Sequence, residues 1–145
     1  EVIYITDCHP ANHSSFVEFG GIWPPHCVEG TRGGAIHESF YTKVENPANR
    51  PDPNRNIFRK GCKQDEEQYS GYEAVNSNGI ALKDYANKDV VVSGIATEYC
   101  VYNTVNEFLK SGRNVELLHD ALGYVDYEGH KKTIKDLRKM VTVVQ

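Results

Sequence analysis

Apolar and polar positions change period several times along this chain, and each change marks an element. Val2 to Ile5 is β-branched and alternating, so the chain enters as a strand. Asn56 to Arg59 is a short strand candidate that delivers Lys60. Gly79 to Lys88 reads as a helix, with Ile80, Leu82 and Tyr85 as its apolar contacts. A strand follows at Val90 to Ala96, then a helix at Glu98 to Ser111 with Val101, Val105, Phe108 and Leu109 on one side and Gly112 as its stop. The pattern closes with a strand at Asn114 to His119, a helix at Tyr127 to Met140 and a strand at Val141 to Val144. Between the first two strands, about Pro10 to Asn56 is rich in Pro, Gly, Asn and His and has few apolar periods. A loop of that length inside a compact domain usually carries function. Its most linker-like piece, Pro47 to Pro53, is expected to stay extended.

Strands that alternate with helices imply an α/β fold, three layers α/β/α with a mainly parallel central sheet covered on both faces. The 145 residues suit one domain and can bury a core. A formal net charge of −4 without a Lys/Arg stripe argues against a nucleic-acid partner. The segment from Lys131 to Lys139 interleaves its cations with Asp136 and reads as a solvated helix face. No apolar run reaches ~18 residues, so neither a transmembrane helix nor a membrane partner is expected. Cys8, Cys27, Cys62 and Cys100 are unevenly spaced with no Cys-x-x-Cys pair, which suits a reducing compartment, and the cytoplasm is the expected location. Cys27 and Cys62 are expected to be packing residues.

The chemistry concentrates at predicted strand ends. Residues two apart on a strand point the same way, so Asp7 and His9 leave the first strand on one side and Cys8 on the other. With His26 from Trp23-Pro24-Pro25-His26-Cys27 they make one carboxylate and two imidazoles, a facial set suited to zinc, iron(II) or manganese. The plainer alternative is a surface Asp-x-His before a turn at Pro10, with His26 capping a loop. Thr97 is a natural N-cap, which puts Cys100 in a first helical turn where the N–H groups and the helix dipole favour a thiolate or hold an oxyanion. The alternative there is a buried cysteine packed under the strand. Lys60 precedes Gly61 and is by base rate a solvated lysine, with Lys63 as runner-up for any functional role. Ligands of parallel sheets bind beyond the carboxyl ends of the strands, where Asp7, His9, Lys60 and Ala96 to Cys100 all fall.

Four blocks then occur in a recognisable order: Asp7-x-His9-Pro10-Ala11-Asn12-His13-x-Ser15-Phe16, Trp23-Pro24-Pro25-His26-Cys27-Val28-x-Gly30-Thr31, Lys60-Gly61 before Tyr69-Ser70-Gly71-Tyr72, and Gly94-Ile95-Ala96-Thr97-Glu98-Tyr99-Cys100-Val101. In this order the chain resembles the nicotinamidases, metal-containing members of the isochorismatase-like cysteine hydrolases, from its first residues to beyond Asp120. The Trp-Pro-Pro-His-Cys block is specific to that branch, and the Gly-Ile-Ala-Thr-x-x-Cys block is shared across the superfamily.

The resemblance implies a single isochorismatase-like hydrolase domain over residues 1–145 and a small-molecule substrate, nicotinamide, cleaved to nicotinate and ammonia through a thioester in NAD salvage. Pyrazinamide is a second expected substrate. Cys100 would be the nucleophile, Lys60 the cation that favours its thiolate, and the N–H groups of Ala96 and Cys100 the oxyanion donors, with a cis peptide between Ile95 and Ala96. Trp23 and Tyr69 would bind the pyridine ring, and Asp7, His9 and His26 one divalent metal, zinc before iron or manganese. His13 and Glu18 are second choices for an extra ligand, and a homo-oligomer is compatible with all of this. One departure stands out. The family's catalytic aspartate lies on an N-terminal strand that would precede Glu1, no residue here matches it, and the domain is expected to lack its first strand and helix. The alternatives are another isochorismatase-like amide hydrolase, against which the metal-ligand block counts, and a non-catalytic metal- or ligand-binding relative without the base.

Overall fold

In the computed structural model, which describes residues 1–145, five strands pair into one sheet of two and one of three, and every ladder is parallel. The α/β class with parallel sheets is therefore as expected. The residues fall into two units, Glu1–Gln68 with Glu73–Leu82, and Tyr69–Tyr72 with Lys83–Gln145. No helix is long and apolar enough to cross a membrane.

In the first unit, β1 (Tyr4–Asp7) pairs with β2 (Ile57–Lys60) in the register Tyr4↔Ile57 to Asp7↔Lys60. The first strand is displaced from the predicted Val2 to Ile5 because pairing, not β-branching, sets its limits. Tyr4 N donates to Asn56 O at one end, and Cys8 N to Lys60 O at the other. Asn56, fully buried, ties this corner together through Nδ2 to Val2 O and Arg50 O and through Oδ1 to Asp52 N. The long connection contains only 3₁₀ turns at Val17–Phe19, Arg32–Gly34 and Pro47–Asn49 and a single-turn α1 (Ser39–Thr42). Pro47 to Pro53 is not an extended linker. The Asn46 side chain accepts from Ala48 N at 3.0 Å and Arg55 Nη1 donates to Ala48 O at 2.5 Å, which folds the segment back.

The helix predicted over Gly79 to Lys88 shrinks to one turn, α2 (Leu82–Tyr85). Asn76 Oδ1 accepts from both Asn78 N and Ile80 N, and Gly79 takes φ +77, so a side-chain turn displaces the helical start.

In the second unit the order is β3 (Asp89–Gly94), β4 (Asn114–Leu122), β5 (Thr142–Val144). A register shift between Val92 and Gly94 lets β4 run beyond the predicted His119 to Leu122. Here α3 (Tyr102–Lys110) buries Val105 and Phe108, α4 (Tyr127–Leu137) buries Ile134 and Leu137, and β4 buries Val115 and Leu117. Asp126 caps α4 by accepting from Gly129 N at 2.6 Å.

Candidate functional site

In the first unit β1 and β2 end level, with Asp7 opposite Lys60. Lys60 is 4% exposed, and its ammonium donates to Asp7 Oδ1 and, at 2.9 Å, to Gln68 O. The chain then turns at Gly61, φ +63, whose N–H is held by Gln68 Oε1. The Gly61 carbonyl meets His9 Nδ1 at 2.9 Å. The loop bearing His26 is pinned to the residues after β1: His9 N donates to Cys27 O, Glu29 N donates to His9 O, and His9 bridges Val28 in parallel. Cys27 takes φ +47 at this turn. His26 Nδ1 meets Pro24 O at 2.8 Å.

Each imidazole thus spends Nδ1 on a backbone carbonyl, which in the neutral ring leaves the Nε2 lone pair as a ligand. Ligand atoms of Asp7, His9 and His26 all lie within 4.8 Å of one another. Phe16, buried, sets its ring edge against both imidazoles, 5.7 Å from His9 and 5.5 Å from His26. Burial pushes the His9 imidazole below its ordinary value of 6.5, opposed by the Gly61 carbonyl and the Asp7 charge. A neutral imidazole is the form that binds metal. Two nitrogen lone pairs and one carboxylate, each already oriented, fit a divalent ion.

Trp23 is half-buried with its ring 6.2 Å from that of His26, and its loop is fixed by Trp23 N to Ser15 O and Val17 N to Trp23 O. His13 packs on His9 at 4.2 Å but commits Nδ1 to Ser15 Oγ and Nε2 to Glu66 O, so it braces His9 and does not join the cluster. Lys63 is an exposed partner of Glu66. Cys8 is buried, and its thiol is pushed up to about 11 by burial and by the neighbouring Cys62. Cys62 is exposed, so it is not the packing residue expected. The pairing spans a strand register that spacing does not reveal. Gly61 and Gln68 were likewise missed, although a glycine directly after a strand-end lysine was a signal for the first.

In the second unit Cys100 is half-exposed on the turn Thr97–Val101, which precedes α3. The N-cap is Ala96, not Thr97. The Thr97 hydroxyl donates to Gly123 O at 2.8 Å and meets His130 Nδ1 at 3.0 Å. Val101 N reaches back five residues to Ala96 O at 3.1 Å, which makes the turn a π-turn, a local widening common at functional sites. Thr104 Oγ1 donates to Cys100 O at 2.7 Å and accepts from Gly71 N at 2.8 Å. The Ile95–Ala96 peptide is cis. Glu98 Oε1 accepts from Val125 N and Asp126 N, and the Tyr69 and Tyr99 rings lie 5.6 Å apart.

Residues 65–145 match the isochorismatase domain family. The nicotinamidase/pyrazinamidase of Mycobacterium tuberculosis is 30% identical over 144 residues, 94% of this chain and 72% of that protein. The pyrazinamidase of Pyrococcus horikoshii, solved in complex with zinc, is 34% identical and superposes with a TM-score of 0.78 over 99% of this chain and 74% of its own. PnC1 of L. infantum, solved in complex with nicotinate, is 32% identical, with a TM-score of 0.79 over 99% of this chain and 70% of that one.

Proposed function

The chain belongs to the isochorismatase family, and from that premise we propose that it is a metal-containing cysteine amidohydrolase that cleaves nicotinamide to nicotinate and ammonia. One observation carries the reading: two oriented imidazoles and a carboxylate converge within 4.8 Å beside the only tryptophan, in a chain similar to a zinc-bound pyrazinamidase and a nicotinate-bound relative.

Asp7, His9 and His26 would hold one divalent ion, zinc first, which when bound supplies a Lewis-acid position for the pyridine nitrogen. Trp23 offers a face for the flat ring, and Tyr69 is the second aromatic assigned to it. Fixing the ring positions the carboxamide for attack. The Cys100 thiolate then adds to the carbonyl carbon, and the Ala96 and Cys100 N–H groups take the oxyanion. The C–N bond breaks, ammonia leaves with a proton, and water cleaves the thioester to nicotinate and the restored thiol. Lys60 is the cation assigned to favour the thiolate, and its pairing with Asp7 also holds that ligand in place. A general base has to carry the thiol proton to the leaving nitrogen and take one from the attacking water. The product would feed pyridine nucleotide salvage.

The test is ammonia release from nicotinamide and pyrazinamide, measured beside bound metal. Cys100→Ala should keep its metal and lose activity by about 10³ or more. His26→Ala should lose both. Protein that retains metal yet releases no ammonia from either amide would instead be a metal-binding relative, and the enzymatic reading would fail.

A further inference from the structure

Cys8 sits between the ligands Asp7 and His9, and Cys62 follows directly on Lys60 and Gly61. The two short segments run side by side, since Cys8 N donates to Lys60 O at 2.9 Å and the ladder reaches Asp7↔Lys60. Continued by one step, the register sets Gly61 beside Cys8 and Cys62 next after it, and paired strands lie about 4.8 Å apart, a backbone spacing of the order that disulfides bridge. Their surroundings differ. Cys8 is 9% exposed, whereas Cys62 is exposed and lines a cavity of about 640 Å³ together with Arg59, Lys63 and Glu66. A small oxidant therefore meets Cys62 first, with Cys8 placed behind it as the resolving thiol.

We propose that Cys8 and Cys62 are an oxidation site that closes reversibly to a disulfide, and that closure weakens the Asp7–His9–His26 metal centre. The regulatory half rests on the metal reading above; the bond does not. With hydrogen peroxide as oxidant, the Cys62 thiolate attacks one oxygen, the O–O bond breaks, and a sulfenic acid and one water form after proton transfer. The Cys8 sulfur then attacks the sulfenic sulfur, the S–O bond breaks, and a second water leaves. Two thiols are oxidised and one peroxide is reduced. A small dithiol reverses the step by exchange.

The coupling to the metal runs through Gly61. Its carbonyl orients His9 through Nδ1, and its Cα packs so closely that an added Cβ would lie 2.5 Å from His9 Cε1. Drawing the sulfurs to about 2.05 Å pulls the residue after Gly61 toward β1, so the carbonyl must shift and the ring with it. Lys60, on the other side of Gly61, is the partner of Asp7, so a second ligand feels the same movement.

The experiment uses the full chain carrying Cys100→Ser, which removes the thiol assigned as nucleophile above, treated with hydrogen peroxide. Peptide mapping without reductant reads the bond, and competition with a chromophoric chelator reads zinc affinity. The expected result is a Cys8–Cys62 linked peptide and zinc affinity lower by about 10-fold or more, restored by dithiothreitol and unchanged by peroxide when Cys62→Ser is added. Sulfinic acid on Cys62 without linkage, or Cys62 linked elsewhere, overturns the site. Linkage with unaltered affinity overturns the switch. Protein that binds no zinc before oxidation overturns the metal reading and the switch with it, while the peptide map still decides the bond.

Discussion

At φ +63, with its carbonyl on His9 Nδ1 and its Cα against the His9 ring, Gly61 meets two demands that a residue with a Cβ cannot. Gly61→Ala should therefore turn His9 away, with a stability loss of roughly 1–3 kcal/mol and metal affinity reduced about 10-fold or more. Denaturant unfolding and a metal titration read the two effects, and an alanine variant that matches the parent in both would show that the close approach is not required. His9 itself gives a pH dependence. Burial lowers its folded value below 6.5, so below that pH the unfolded chain binds the proton more readily than the folded one. Stability of the metal-free protein should hold above 6.5 and decline as pH falls through the folded value, and His9→Asn should flatten that decline. An unaltered profile in the variant would assign the acid sensitivity to other groups. Asp7-x-His9 was legible because period-two spacing on a strand is a local property. The second half of the cluster, His26, depends on the His9–Val28 bridge, which nothing in the spacing forces.

At the scale of elements, Asn56 decides where β1 and β2 begin. Its side chain satisfies Val2 O, Arg50 O and Asp52 N from a fully buried position, and its own carbonyl takes Tyr4 N. Asn56→Ala takes the side-chain partner from Val2 O and Asp52 N, at about 1–3 kcal/mol for a buried unsatisfied group. The variant should unfold at lower urea, and one with an unshifted midpoint would mean that water replaces the amide at no cost. The strands and helices of the second unit were readable because each carries its own period, as Val105 and Phe108 do on α3. What failed was local competition by polar side chains. Asn76 replaced a helical start with a turn, and Thr97 gave its hydroxyl to Gly123 O, which left Ala96 as the cap and a five-residue bond at Val101. Propensity names a capable residue, but tertiary partners choose its bond.

At the scale of the whole molecule, two units divide the candidate residues, with the Asp7–His9–His26 cluster in the first and Cys100 in the second. The alternation of strands and helices foretold parallel pairing. It did not foretell separate sheets of two and three strands, since period says which residues form strands and not which edges meet. This division makes metal binding a localised event with a distinct signature. An ion held by Asp7, His9 and His26 cross-links β1 to the loop around Cys27 and binds only the folded arrangement, so it should add about 2.7 kcal/mol of stability at a hundred times its dissociation constant. Amide hydrogen exchange with and without zinc would show where that stability goes. Slowed exchange is expected at the backbone bonds around the ligands, above all Cys8 N to Lys60 O, His9 N to Cys27 O and Glu29 N to His9 O. The amides of β4 and β5 carry none of the ligands and should change less. Protection confined to residues 83–145 would place the metal elsewhere, and the Asp7–His9–His26 assignment would have to be given up.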